Sequence, residues 1–442
     1  MKLHRIVAFA GFVLGAVAAQ AEDLVQIYRE AQQSDATLAA ARANWLATQE
    51  RVPQARSQLL PQVSAGGNVN ANEGRSTVYT EPKIISDNPS ATSSFSISAS
   101  QPLFRAQNIV VLSQAQRQVE QADYTLAQQQ QDLILRVTIA YFDVLLAEVN
   151  VELAEAQKAA ISEQLAQARR NFEVGVATIT DTNEAQARFD AIVAQEISAR
   201  NDLDNRRAAL RVIIGRMPRD LRRLGPGFEP TLPEPNVLEY WLDRALTDNL
   251  SVRIAGYSFD VATLEIDRAR AAHLPTVDLV ASASHSLGTG SLGTNANSQS
   301  RTSLIGLAFN FPIYQGGLIT SRVREAVALQ ETARQNLEGA RRNALASAQV
   351  GFAGVNSAAA SVNAFEQALR SAQTALESNR LGLEVGVRTN LDVLNVTQQL
   401  FQVRRDLAQS YFNYLLGLLR LKASIGALTE QDLEDINRRL RG

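Results

Sequence analysis

Four stretches of the chain alternate strictly between apolar and polar residues. Between Gln62 and Asn70, Val63, Ala65, Gly67 and Val69 share one face, and Gln62, Ser64, Gly66, Asn68 and Asn70 share the other. Phe95, Ile97, Ala99 and Leu103 likewise oppose Ser94, Ser96, Ser98 and Ser100. Val277, Leu279, Ala281 and Ala283 oppose Asp278, Ser282, Ser284 and Ser286, and Ile305, Leu307, Phe309, Phe311 and Ile313 oppose Gly306, Ala308 and Asn310. A period of two predicts strands, here at about 62–71, 93–103, 276–287 and 303–313. Each is about ten residues long, as a strand crossing a bilayer at a tilt must be. A soluble sheet with one wet face is the simpler alternative. The small polar faces, uncharged apart from Asp278, suit a barrel lumen better, and the Ser/Asn/Gly-rich segments 72–92 and 288–302 read as external loops. Four strands cannot close a barrel, and lipid does not tolerate open edges. A membrane reading therefore requires several copies of the chain to share one barrel, and three copies supply 12 strands.

Elsewhere the period is helical. Residues 24–58 and 237–272 are rich in Ala, Leu, Arg and Gln, and each run ends near a proline. The prolines confine themselves to 53–102, 218–235, 275 and 312, leaving 103–217 and 313–442 free of them. These windows predict helices over 104–172 and 314–383, each about 100 Å long at 1.5 Å per residue. Val174-Gly175-Val176 and Val385-Gly386-Val387 are then tips at which the chain reverses into return helices 180–216 and 391–425, with the glycines ending the first helix of each pair. Leu400, Val403, Leu407, Tyr411, Tyr414, Leu418, Leu421 and Ile425 step by threes and fours, a helix-packing seam. The counterpart from Phe189 through Leu203, Leu210 and Ile214 is interrupted by Glu196 and Arg207. The expected class is mainly α with a small β part: long antiparallel helical hairpins joined to four membrane strands per chain.

The chain is also a duplication. Leu60-Pro61-Gln62-Val63 returns as Leu274-Pro275-Thr276-Val277, Phe172-Glu173-Val174-Gly175-Val176 as Leu383-Glu384-Val385-Gly386-Val387, and Leu210–Gly215 as Leu421–Gly426. Repeats at 22–224 and 236–442 flank a Pro/Gly linker at 225–235. Residues 1–21 have the form of a signal peptide: Lys2 and Arg5, an apolar run from Ile6, and Ala19-Gln20-Ala21 as the cleavage site. Removing it takes the net charge from −2 to −4.

Composition narrows the chemistry. Of 442 residues none is Cys, and His4, His273 and His285 are the only histidines. Thiol catalysis, disulfides and a His-built metal site are excluded, no constellation suits an enzyme, and the charge leaves no footprint for nucleic acid. Gly288-Thr289-Gly290-Ser291-Leu292-Gly293 matches a dinucleotide fingerprint, but it lies between two strands rather than between a strand and a helix, so no cofactor is expected. A trimeric coiled-coil surface or adhesin-type protein would explain the helices but not the strands.

Glu384-Val385-Gly386-Val387-Arg388-Thr389-Asn390-Leu391-Asp392-Val393-Leu394-Asn395, with Tyr411-Phe412-Asn413-Tyr414-Leu415, resembles the TolC family of outer-membrane efflux and secretion channels. Val174-Gly175-Val176-Ala177-Thr178-Ile179-Thr180-Asp181 resembles the same family, and the likeness runs over the whole mature chain. It implies a homotrimer in the outer membrane of a Gram-negative bacterium, with a large periplasmic α-barrel and no cofactor. It also implies a periplasmic adaptor (membrane fusion) protein that contacts the tips Val174, Gly175, Val176, Val385, Gly386 and Val387, and an inner-membrane transporter behind it. In the family pattern Arg388 and Asp181 form a clasp that helps hold the entrance closed, and Leu383 replaces a tyrosine that reinforces it. Asp392 would form an acidic ring at the gate. The second acidic ring of the pattern falls on Asn395 and is neutral here, so weaker cation selectivity and blockade are expected.

Overall fold

The computed structural model describes residues 21–225, 229–291 and 296–441. The signal peptide apart from Ala21, the Pro226–Phe228 part of the linker and Leu292 and Gly293 of the glycine-rich motif lie outside them. In chain order the elements are α1 (Leu24–Ser34), α2 (Ala36–Gln49), α3 (Arg51–Ser57), β1 (Gln62–Val78), β2 (Ile84–Phe104), α4 (Ala106–Glu173), α5 (Ile179–Ile214) and β3 (Arg223–Leu224). There follow α6 (Leu238–Asp248), α7 (Leu250–Ala271), β4 (Thr276–Ser291), β5 (Ala296–Asn310), α8 (Leu318–Glu384), α9 (Asn390–Ser424), α10 (Glu430–Asn437) and β6 (Leu440–Arg441). They build two compact units, Ala40–Gln128 with Leu246–Leu345, and the rest of the chain.

The first of these units holds an antiparallel sheet in the order β1-β2-β4-β5. Its strands are longer than the alternation alone predicts. The ladder between β1 and β2 runs from Gln62↔Ser100 to Val78↔Ile84, so most of the segment read as a loop at 72–92 is paired strand and only 79–83 turns. Polar side chains sustain it: Ser64 and Ser98 hydroxyls share a 2.8 Å hydrogen bond, and Arg75 donates to the directly opposite Asp87 at 2.5 and 3.1 Å. Strand β5 likewise begins at Ala296 and stops at Asn310, leaving Phe311 and Ile313 outside it. The apolar face of the alternation stays exposed in the single chain, with Val63, Val69, Ile305, Leu307 and Phe309 among its residues. Beside the sheet, α4 meets α7 through a polar ladder, Gln114 to Glu265, Gln121 to Ser258 and Gln128 to Ser251. Tyr124 stacks on Tyr257 with ring centroids 5.5 Å apart. Among the described residues no helix is long and apolar enough to cross a membrane.

The second unit carries both hairpins. Tyr141 of α4 is buried and donates its hydroxyl to the backbone carbonyls of Glu22 and Arg222, and that burial pushes its ionisation up. Phe142 meets Phe412 at 5.1 Å. The α9 seam packs inward as its spacing predicts, with Leu400, Val403, Leu407, Tyr414, Leu421 and Ile425 buried. The weaker seam of α5 is not broken by its charges. Glu196 is 4 % exposed and is held by Lys158 at 2.8 Å and Arg200 at 2.6 Å, while Arg207 pairs with Glu148 at 2.8 Å. A buried carboxylate is tolerated because cations and hydrogen bonds replace its water.

Candidate entrance at the hairpin tips

Each tip is built by the same local chemistry, displaced by one repeat. Gly175 and Gly386 take φ of 78° and 77°, a left-handed conformation that costs glycine little and other residues more. Gly175 donates its amide to Phe172 and Val176 donates to Asn171; Gly386 donates to Leu383 and Val387 to Gly382. This pair of bonds satisfies the last carbonyls of α4 and α8 in the Schellman arrangement. The flanking Val174 and Val176 are 72 % and 74 % exposed, and Val385 and Val387 are 66 % and 75 % exposed.

The return helices open on capping boxes. The Thr178 amide donates to Asp181 Oδ2 at 2.9 Å, and Asp181 returns its own amide to Thr178 Oγ1 at 3.3 Å. Thr389 and Asp392 repeat the exchange at 2.9 and 3.2 Å. Asp replaces the usual Glu or Gln of the motif, and the carboxylate gains from the helix dipole. The donated Thr389 amide, its hydroxyl and the nearby Arg388 charge hold Asp392 below the ordinary carboxylate range. Both acidic site residues are thus ordered helix starts.

The structure does not join Arg388 to Asp181 within one chain: among the described residues no ion pair links them. Arg388 lies instead along Gly382, where a built Cβ would meet its Cγ at 2.6 Å, and its side chain remains exposed. Leu383 packs against the apolar core of the second hairpin, Ala372, Leu376, Val393, Leu400 and Val403. The first hairpin has its own core, Ile161, Leu165, Ala168, Ala185 and Ile192, into which Leu394 of α9 inserts. Gln164 adds a polar contact beside it, donating to Thr397 at 3.2 Å. Asn395 carries a contact that sequence spacing does not reveal: Arg188 of α5 donates to Asn395 Oδ1 at 3.0 Å and to Gln398 Oε1 at 2.7 Å.

Paired membrane-length strands with exposed apolar faces, together with two hairpins of exceptionally long helices, define a channel-tunnel fold of the outer membrane. The chain belongs to the outer membrane efflux protein family, whose model matches residues 27–216 and 241–427. It is 35 % identical to the outer membrane protein TolC of Vibrio cholerae serotype O1, over 98 % of each chain. It is 37 % identical to TolC of Escherichia coli K12, over 95 % of this chain and 85 % of that one. The proteases secretion protein PrtF of Dickeya chrysanthemi is 30 % identical, over 94 % and 90 %. The Campylobacter jejuni CmeC outer membrane channel shares the fold with a TM-score of 0.78 over 95 % of this chain and 90 % of that one, at 15 % identity. The protein is an outer-membrane exit duct of the efflux and type I secretion kind. These relatives are channel and secretion proteins rather than enzymes, and none of them supports the adhesin-type alternative.

Proposed function

We propose that three copies assemble into one duct, with the sheets closing a 12-strand barrel and the hairpins forming a gated periplasmic entrance. The observation that carries this reading is the pair of unpartnered sheet edges. Among the described residues, strand β1 and strand β5 each have one neighbour, although their apolar side chains face outward in the single chain. Open edges in hydrocarbon leave backbone groups unsatisfied at several kcal/mol each, and edge pairing between copies removes that cost. In this assembly Asp392 forms the acidic gate ring, and Arg388 reaches Asp181 of a neighbouring copy's hairpin to complete the clasp. The exposed valine tips dock a periplasmic adaptor, which couples the duct to an inner-membrane transporter that supplies the energy.

The chain has no native cysteine, so paired cysteines on β1 and β5 give a clean test. Oxidation of outer membranes should yield covalent trimers for in-register pairs and none for single variants. Cross-linking confined within one chain sinks the shared-barrel reading. Deleting the gene should raise drug susceptibility or abolish a secreted product; loss of neither contradicts the export role.

A further inference from the structure

Among the described residues, Arg188 is the one cation seen to reach from the first return helix to the gate segment of the second. Its two terminal nitrogens are spent on the side-chain carbonyls of Asn395 and Gln398. Both partners are neutral amides, so the guanidinium is fixed in place without being neutralised. Asn395 stands three residues beyond Asp392 on α9, one turn along the same face. On α5, Arg188 follows Asp181 by seven residues, two turns, and so lies on the stripe that starts with that carboxylate. The corresponding position of the second repeat is Gln399, so the cation belongs to the first hairpin alone.

We propose that Arg188 sets the ionic preference of the entrance. It places a ring of positive charge just inside the acidic ring of Asp392, so that anionic solutes pass about as readily as cations. The inference rests on the reading that the Asp392 stripe lines a trimeric entrance. Three guanidiniums within about a Debye length, roughly 10 Å at 0.1 M salt, offset the field of three carboxylates. An acidic ring alone concentrates cations and repels anions. Opposed rings cancel that bias and leave the duct open to anionic cargo. The amide anchors matter because a free arginine side chain would spread its charge over many rotamers, and its contribution at the constriction would fall accordingly.

The test is the ratio of K⁺ to Cl⁻ permeability, read from reversal potentials of purified trimers in planar bilayers across a KCl gradient. Wild type should lie near unity. Arg188→Gln, which removes the charge, should favour K⁺ by about threefold or more, and Arg188→Lys, which keeps the charge but loses the fork, should fall between that variant and wild type. Asp392→Asn should move the ratio the opposite way. Trimers on unheated gels confirm that each variant folds. An Arg188→Gln channel with the wild-type ratio, or a wild type already strongly cation-selective, overturns the role of Arg188 while leaving the duct intact. A wild type without conductance overturns the duct reading itself.

Discussion

Arg105 and Asp278 form a bidentate pair, Nε to Oδ1 at 2.8 Å and Nη2 to Oδ2 at 2.6 Å, that ties the start of α4 to the first residues of β4. Asp278 is only 9 % exposed, and its repeat counterpart is Ser64, which pairs with Ser98 instead. The clamp therefore exists at the first strand-to-helix junction and not at the second, where Gly316 and Gly317 both take positive φ. Truncating Arg105 leaves a buried carboxylate unpaired. Because the arginine is partly exposed, Arg105→Ala should cost about 1–3 kcal/mol rather than the full cost of a sealed pair. Thermal unfolding in detergent should show the loss, and Asp278→Asn in the same chain should recover part of it.

Asp35 supplies a pH dependence with a definite sign. Arg136 donates to both of its carboxylate oxygens, at 2.9 and 3.0 Å, and the Leu38 amide donates to Oδ1 at 2.7 Å. The hydrogen bonds from Arg136, ahead of the opposing effect of burial, hold the folded pKa below the ordinary 3.8. A depressed folded pKa means stability that is fully present above the unfolded value and lost as pH falls through the folded one. Wild type should thus lose stability between about pH 5 and the folded pKa, and Asp35→Asn should remove this part of the acid dependence. Melting temperatures of both proteins from pH 7 to pH 3 measure it. Parallel curves over that range contradict the assignment.

The elements that depend on local chemistry are legible in the chain itself. The tips follow from Val-Gly-Val between proline-free windows, and Thr178 with Asp181 and Thr389 with Asp392 have the spacing of capping boxes. Strand length is not legible past Ala71, because Asn72 to Thr77 carry no apolar alternation. The pairing there is sustained by the ladder and by Arg75 with Asp87, which periodicity does not register. Glu196 reads as a break in a seam because its compensating Lys158 lies on the other helix of the hairpin. Arg188 gives no signal for the same reason, its partner Asn395 being 207 residues away. Side-chain pairing across distant elements is what a one-dimensional pattern cannot carry.

Gly175 and Gly386 have nothing within 4 Å of a built Cβ, so alanine would meet no clash and the whole cost is the left-handed φ. Gly175→Ala and Gly386→Ala should each destabilise the tip by about 1 kcal/mol. The effect is local, so trimers should still form. Proteolysis at the tips should accelerate, and export should fall more than trimer stability does. Equal losses in both would mean that the turns serve folding only.

The clasp separates from the cap by choice of residue. If the proposed clasp forms between copies, Asp181→Asn weakens the capping box and the clasp together, whereas the α9 cap is made by Thr389 and Asp392 without the Arg388 side chain. Arg388→Ser should therefore raise single-channel conductance severalfold through a loosened entrance, with little change in melting temperature. Asp181→Asn should raise conductance and lower the melting temperature. An Arg388→Ser channel that conducts like wild type removes the clasp from the entrance.

Asn395 tests the gate ring directly. In the proposed trimer, with Asp392 ionised at one ring and Asn395 neutral at the next, a trivalent cation would meet three carboxylates and the nearby Arg188 guanidiniums. Coordination by one ring offset by positive charge is weak. Asn395→Asp would add a second acidic ring one turn away and give Arg188 a charged partner in place of an amide, neutralising its repulsion. Block of bilayer conductance by lanthanum should then occur at concentrations at least about tenfold lower than for wild type. Asp392→Ala should abolish whatever block wild type shows. If Asp392→Ala channels are blocked as well as wild type, the carboxylate acts as a helix cap alone and the constriction lies elsewhere.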